Sequence, residues 1–326
     1  MTWLRAFAAA LAVLGSIAMA AAEDVADYPS RPIRIIVPAA AGGGSDILAR
    51  GVGQALTQVW PGAQVIVENR GGASNQLGAE VVIKSPPDGY TLLLTAEATV
   101  VINQWLYKNL PYDPVKDFTP ITGLVEISQG LVISNGLGPN TVAEFLALAK
   151  AKPAAISFGN FGIGSTGHLN METLQHLTGT RFIAVPYKGA TPAINDILGG
   201  HLDAMFIGVG TALNFSKPGK VKLIAVGTKQ RLPEYPDIPT IAETVPGFTA
   251  RSWFGLIGPA DMPKPIVHKL ATAVAKVFED KEFQEKILKP NFYQPIVSSP
   301  EDFVNYIKTD AQAWKAVIET ANVKIE

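Results

Sequence analysis

The chain has 326 residues, a formal net charge of −1 and no cysteine. Its lysines and arginines are scattered, so no basic footprint marks a nucleic-acid partner. The missing thiols exclude a disulfide framework, a cysteine nucleophile, a thiolate metal site and lipid attachment at a signal-peptide cysteine, and the length allows two substantial cores or one large one.

Residues 1–22 read as a cleaved secretory signal peptide. Arg5 precedes an apolar run from Ala6 to Ala18, and Ala18-Met19-Ala20-Ala21-Ala22 supplies a small-residue site, with cleavage expected after Ala20 or Ala22. The run is short and wrongly flanked for an anchor, and no other stretch approaches the ~20 apolar residues of a spanning helix. The expectation is a soluble exported protein.

Ile33 to Val37 reads as a strand, and Ile47, Leu48, Val52, Leu56 and Val59 recur at helical spacing. Between them lies Pro38-Ala39-Ala40-Ala41-Gly42-Gly43-Gly44-Ser45-Asp46. Three glycines allow close backbone approach, and Ser45 is expected to cap the helix, so free N–H groups and the positive end of the helix dipole meet there. Such a turn favours an anion. A P-loop would need Lys and then Ser or Thr after the glycines, so a triphosphate is disfavoured and one carboxylate fits better. Asp46 is weighted toward complementing the dipole rather than facing the ligand.

A second strand is expected at Gln64 to Asn69, a loop at Arg70 to Asn75, a helix at Leu77 to Lys84, a turn at Pro86 to Gly89 and a third strand at Tyr90 to Thr95. This alternation predicts a parallel sheet. Ser74 and Asn75 are cap-type residues, yet they lie at the carboxyl end of a neighbouring strand, in position to face the first loop. Thr95 ends the third strand. Beyond Thr95 the pattern loosens through Asn103 to Pro120.

It resumes with a strand at Gly130 to Ser134, a helix at Thr141 to Lys150 and a strand at Ile156 to Gly159. A glycine turn from Gly159 to Gly164 then leads to Ser165, which is expected to cap a helix running to about Leu177. Strands at Phe182 to Pro186, Ala204 to Val209 and Leu223 to Gly227 follow, with a helix at Pro192 to Leu198. Pro233 to Pro246 reads as surface loop plus a short helix, and Trp253 to Gly258 as a strand. Long helices are expected at Pro265 to Leu288 and Pro300 to about Ala321, and nothing after Ala260 reads as site chemistry. The repeated strand, turn and helix imply two α/β lobes with a cleft. Crossings placed near Leu124 and Pro246 divide the chain into 23–124 plus 247–326, and 125–246.

Ser165 and Thr166 bring hydroxyls beside free N–H groups at the second turn. His168, Glu172 and His176 share a helical face, but eight residues rise ~12 Å, so a surface stripe outweighs a metal site. A nucleophile elbow needs glycine two before the serine, where Ile163 stands. Gly159, Gly162 and Gly164 reverse the dinucleotide spacing, so no cofactor is expected. An exported α/β hydrolase with Ser165 as nucleophile, followed by Asp203 and His268, is the alternative. Tyr187, Lys188 and Gly189 end a strand near the cleft, with binding and packing evenly weighted. Asp203 begins a later strand, where capping is the commoner role.

Together these pieces resemble a known family. They are Tyr28-Pro29-Ser30-Arg31-Pro32-Ile33, Val37-Pro38 with Gly42-Gly43 and Asp46, Val67-Glu68-Asn69-Arg70, Pro87-Asp88-Gly89-Tyr90-Thr91-Leu92, and Leu110-Pro111-Tyr112-Asp113-Pro114 with Lys116-Asp117-Phe118. Gly164-Ser165 with His168-Leu169, Val185-Pro186-Tyr187-Lys188-Gly189, and Pro236-Asp237-Ile238-Pro239-Thr240 with Glu243 complete the set. Over nearly the whole mature chain the sequence resembles the Bug, or TctC-type, family of periplasmic receptors for tripartite tricarboxylate transporters.

The resemblance implies a two-lobed type II periplasmic-binding-protein fold, no catalysis, a monomer, and a small carboxylate ligand passed to membrane transporter subunits; a membrane sensor kinase is a further possible partner. In the family the carboxylate lies against the first loop, partly through waters, which carries over onto Ala39, Ala40, Ala41, Gly42, Gly43, Gly44, Ser45 and Asp46. Facing positions carry over onto Ser74, Asn75, Ser165, Thr166, Tyr187 to Gly189 and Asp203, with Thr95 added. The family's usual aromatic after Pro38 is Ala39 here, and Gln104 replaces a proline. Phe161 and Trp105 are offered as apolar area for the ligand.

Overall fold

Ile33–Val37 (β1) pairs in parallel with Val65–Asn69 (β2) on one side and Thr91–Ala96 (β3) on the other, in a computed structural model that describes residues 25–216, 219 and 221–321. The signal-peptide reading of residues 1–22 lies outside the described residues. Alternate side chains of β1 and β3 feed opposite faces of this sheet. Ile33, Ile35, Val37, Leu92 and Leu94 enter one core with Leu48, Val52, Leu56 and Leu270. Ile36 and Leu93 enter another with Ala79, Val82, Trp253 and Phe303. Both faces are largely covered, which is why β1 and β3 read as apolar runs, broken in β1 only by the part-exposed Arg34.

Phe118–Ser134 (β4) is 17 residues long and serves two sheets. The second lobe adds Ser157–Asn160 (β5), Ile183–Pro186 (β6), Ala204–Gly208 (β7) and Val221–Val226 (β8), and the chain returns through Arg251–Pro259 (β9) and Tyr293–Pro295 (β10). From Phe118 to Ser128, β4 pairs antiparallel with β9; from Gln129 to Ile133 it pairs antiparallel with β7. β5 lies parallel to both β6 and β7, while β8 and β10 run antiparallel to β4. The parallel pairing that strand–helix alternation predicted for the first three strands holds, and the antiparallel strands β4, β9 and β10 make the sheets mixed. Gly227 N–H donates to the Gln129 carbonyl (2.7 Å) and Ala250 N–H to the Gly227 carbonyl (2.8 Å), tying the two crossings between sheets together.

Most predicted elements appear within a few residues of their expected limits. Thr141 caps the Val142–Ala151 helix by accepting from Glu144 N–H, and Ser165 caps Thr166–Thr178 by accepting from His168 N–H. Three expectations change. The first-loop helix, Gly44–Val59, has Gly43 as its N-cap, and Ser45 sits inside its first turn. The expected Pro265–Leu288 helix ends at Glu279, because Asp280 accepts from Phe283 N–H and caps a new turn. The loosened stretch beyond Thr95 holds a π-turn at Ala98–Ile102 and a short helix at Asn103–Leu106. A helix at Val209–Ser216, following β7 directly, had no separate sequence signal. Among the described residues no helix is long and apolar enough to cross a membrane.

Candidate ligand-binding cleft

The loop after β1 is built around Asp46. Gly42, at φ +81°, turns its N–H to Asp46 Oδ2 (2.9 Å), a conformation glycine adopts without strain. Asn69 Nδ2 donates to Asp46 Oδ1 (3.0 Å) and to the Ala39 carbonyl (3.2 Å), and Arg50 Nε donates to Asp46 Oδ2 (3.1 Å). Burial pushes the Asp46 carboxyl up, but the hydrogen bonds from Arg50, Gly42 and Asn69 outweigh it and hold the group below the ordinary carboxylate range. Asp46 thus spends its acceptors on shaping the loop.

A cavity of about 120 Å³ opens between this loop and the second lobe. Ala39, Gly43, Gly44, Ser45, Asn75 and Thr95 line it from the first lobe, and Phe161, Ser165, Thr166 and Gly189 from the second. Ala40, Ala41, Gly42, Asp46, Ser74, Tyr187 and Asp203 do not line it. Ala40 N–H donates to the Lys188 carbonyl (3.2 Å), and Thr191 Oγ1 donates to the Ala41 carbonyl (2.9 Å), so these loop residues join the lobes. Ser74 Oγ does the same by donating to the Ile163 carbonyl, with Tyr107 Oη 2.8 Å from Ser74 Oγ. Tyr187 Oη is taken by Asp196 (2.7 Å), although Tyr187 and Ser74 share a neighbouring groove. Asp203 stands at the amino end of β7, away from the carboxyl ends that face the cleft, and accepts from Ser157 N–H and Oγ.

Helices begin at the cavity with Gly43, Asn75, Ser165 and Gly189 as N-caps, and the Val209–Ser216 helix starts beside Gly208 and Thr211 of its wall. Their first N–H groups have no intrahelical partner and carry the positive ends of the helix dipoles. No residue lining the cavity is charged at neutral pH. What the walls offer an anion is backbone N–H, hydroxyls and dipoles, with Leu94, Ile127, Ile207, Phe161 and Phe254 as apolar area.

Several cavity residues escaped sequence reasoning. Asn291 and Tyr293 line the wall although they follow Ala260. Tyr293 Oη donates to the Gly44 carbonyl (3.0 Å), and a Cβ on Gly44 would lie 2.7 Å from that hydroxyl. Gln129 and Ser252 come from the strands at the crossing. Behind them is Glu97, fully buried, whose carboxyl accepts from Thr166 Oγ1 across the cleft, from Ser252 Oγ (3.0 Å) and from Trp253 N–H (3.1 Å). Burial pushes it up to about 7. Its signal was a lone acidic residue directly after an apolar strand. Trp105 lies elsewhere, with Lys315 Nζ 5.0 Å above its ring.

The hydrolase triad is not assembled. Ser165 Oγ accepts from Phe161 N–H (3.2 Å) and His168 N–H, His268 pairs with Glu301 at the surface, and Asp203 holds Ser157. His168 is buried rather than part of a surface stripe. Its Nδ1 accepts from Gly164 N–H (3.2 Å), its Nε2 lies 3.6 Å from Glu172, and burial pushes its pKa down. His176 is exposed.

Residues 47–323 match the family model described as the tripartite tricarboxylate transporter family receptor. Protein BugT of Bordetella pertussis is 30% identical over 322 residues, covering 97% of this chain and 98% of its own. An R. palustris protein solved with adipate superposes with a TM-score of 0.87 at 31% identity, covering 91% of this chain and 99% of that one. MatC from Rhodopseudomonas palustris, solved with bound malate, gives 0.83 at 28%, covering 89% and 100%.

Proposed function

Because the chain belongs to the tripartite tricarboxylate transporter receptor family, we propose that it is a periplasmic receptor that closes on a small carboxylate and delivers it to membrane transporter subunits. The observation that carries this reading is the uncharged cavity into which helix N-termini point from both lobes. Such a site neutralises one carboxylate by dipoles and N–H groups without fixed cations. The adipate and malate bound by the two structural relatives are acids of matching chemistry.

Ala39, Gly43, Gly44, Ser45, Asn75, Thr95, Phe161, Ser165, Thr166 and Gly189 are the contact residues of this reading. Ala40, Ala41, Gly42, Asp46, Ser74 and Tyr187 shape the loops and join the lobes, and Asp203 supports β5 through Ser157. The lobe limits 23–124 plus 247–326 and 125–246, a monomeric state and a signal peptide at 1–22 belong to the same proposal. The change of pairing partner after Ser128 supports a hinge within β4.

Isothermal titration of ligand-freed protein with dicarboxylates, aromatic acids and acidic amino acids tests the reading. A Kd in the micromolar range or below for one class is the expected outcome. Folded protein that binds none of them overturns it. Native mass spectrometry of protein taken from its source identifies a retained acid directly.

A further inference from the structure

Glu97 follows β3 directly, and its buried carboxyl stands behind the cavity wall rather than in it. Oε1 accepts the hydroxyl hydrogen of Thr166, the first residue of the Thr166–Thr178 helix in the opposite lobe. Oε2 accepts from Ser252 Oγ (3.0 Å) and Trp253 N–H (3.1 Å). Thr166 and Ser252 both line the cavity. A hydroxyl has one hydrogen and two lone pairs. With Glu97 ionised, both hydroxyl hydrogens turn back to the carboxylate, and the cavity meets lone pairs.

A proton on Glu97 reverses one of these bonds. Oε2 already faces the Trp253 N–H, a donor that cannot rotate away, so the proton sits on Oε1 and points at Thr166 Oγ1. Thr166 then accepts from Glu97, and its own hydrogen is free for the ligand.

We propose that Glu97 is a specificity-determining residue: ionised, it makes Thr166 an acceptor that favours a carboxylate bearing an ammonium group, and protonated, it makes Thr166 a donor that favours a dicarboxylate. This rests on the carboxylate reading above and adds what the far end of the ligand must carry. The charge of Glu97 acts in the same sense, since an ionised carboxylate behind the wall attracts an ammonium and repels a second carboxylate.

Burial lifts Glu97 to about 7, against the Thr166 and Trp253 hydrogen bonds, with Asp310 adding to the rise. The Pro300–Ala321 helix brings Asp310, which Arg251 of β9 pairs at 2.6 Å and Trp253 Nε1 holds at 2.7 Å; Tyr306 Oη lies 3.3 Å from Arg251. Glu126 of β4 lies 3.8 Å from Arg251. The Thr166–Thr178 helix brings His168, shifted toward neutrality by burial, and Glu172 beside it. Gln129 is uncharged, and its Oε1 is held by Asn170 Nδ2 (2.8 Å), so its contribution stays constant with pH.

The test is titration calorimetry of the full chain at about pH 6 and about pH 8.5 with length-matched pairs: succinate and β-alanine, glutarate and 4-aminobutyrate, adipate and 5-aminopentanoate. The expected result is an affinity ratio that moves toward the amino acid by about tenfold at the higher pH, the scale of one hydrogen bond exchanged for another. In Glu97→Gln the amide donates to Thr166 at every pH, so the ratio stays at its low-pH value; Thr166→Val removes the hydrogen-bond part and leaves only the charge effect, so its shift is smaller than that of wild type, and it serves if Glu97→Gln does not fold. Protonation of the acids themselves affects every variant equally. A wild-type ratio that does not exceed the variants' change with pH overturns the proposal. A ligand-free readout separates the two readings: the carboxyl ¹³C resonance absent from Glu97→Gln must titrate between these pH values. If it does not, the switch is overturned whatever binds; if it does and no acid binds, the carboxylate reading falls and this proposal with it.

Discussion

Two buried carboxyls carry opposite pH signatures. Asp46 is held below its ordinary value of 3.8, so its stabilisation is present above that value and lost as pH falls through the folded pKa. Glu97 is raised from 4.5 to about 7, so its protonated form stabilises the fold below the ordinary value, and that contribution is lost as pH rises through about 7. The shift corresponds to about 3 kcal/mol as an upper figure. Chemical denaturation of wild type and Glu97→Gln from about pH 5 to about pH 8.5 should therefore show wild type losing stability relative to the variant as pH rises. Asp46→Ala should cost about 1–3 kcal/mol near neutrality, because Gly42 N–H, Asn69 and Arg50 lose a shared acceptor. Gly44→Ala places a methyl 2.7 Å from Tyr293 Oη and should displace that ring, weakening ligand binding by about tenfold in calorimetry with a small change in melting temperature.

At the scale of elements, helix beginnings position the chemistry. Ser165 ends the second glycine turn and starts its helix with one side chain, accepting from both Phe161 N–H and His168 N–H. Thr141 does ordinary capping far from the cavity, with Glu144 reaching back to Asn140 N–H (2.7 Å). The two therefore separate stability from binding. Thr141→Ala should lower stability by about 1 kcal/mol in urea melts and leave ligand affinity unchanged. Ser165→Ala should cost a similar amount and also weaken binding, since the loop that carries Phe161 loses its anchor.

For the whole molecule, the two lobes meet through bonds that ring the cavity: Ala40 to Lys188, Thr191 to Ala41, Ser74 to Ile163 and Thr166 to Glu97. Ala73, Ser74 and Asn75 all have positive φ (47°, 50° and 74°), a costly conformation for three residues other than glycine. It carries the Ser74 hydroxyl across to the Ile163 carbonyl. A bond made only when the lobes meet adds to closed-state stability and slows release. Ser74→Ala with Tyr107→Phe should raise the ligand dissociation rate several-fold in stopped-flow measurements, with association little changed.

Local order was legible without coordinates. The apolar run of β1, the glycine turn, the helical spacing of Leu48, Val52 and Leu56, and the cap at Ser165 all depend on residues a few positions apart, and the family motifs are short strings of the same kind. What the tertiary structure decided is which distant strings meet. Only Gly130 to Ser134 read as a strand in sequence, but β4 begins at Phe118 and changes partner after Ser128, which makes the sheets mixed and brings Gln129 and Ser252 to the cavity. Tyr293 reaches Gly44 across 249 positions, and Trp253 reaches Glu97 across 156. Asp203 went the other way: a strand-start acid is the same string at either end of a sheet, and only the strand's direction set it opposite the cleft. Side-chain spacing records the face a residue takes within its own element, while sheet register and the double crossing set that element's neighbours, and those are properties of the folded chain.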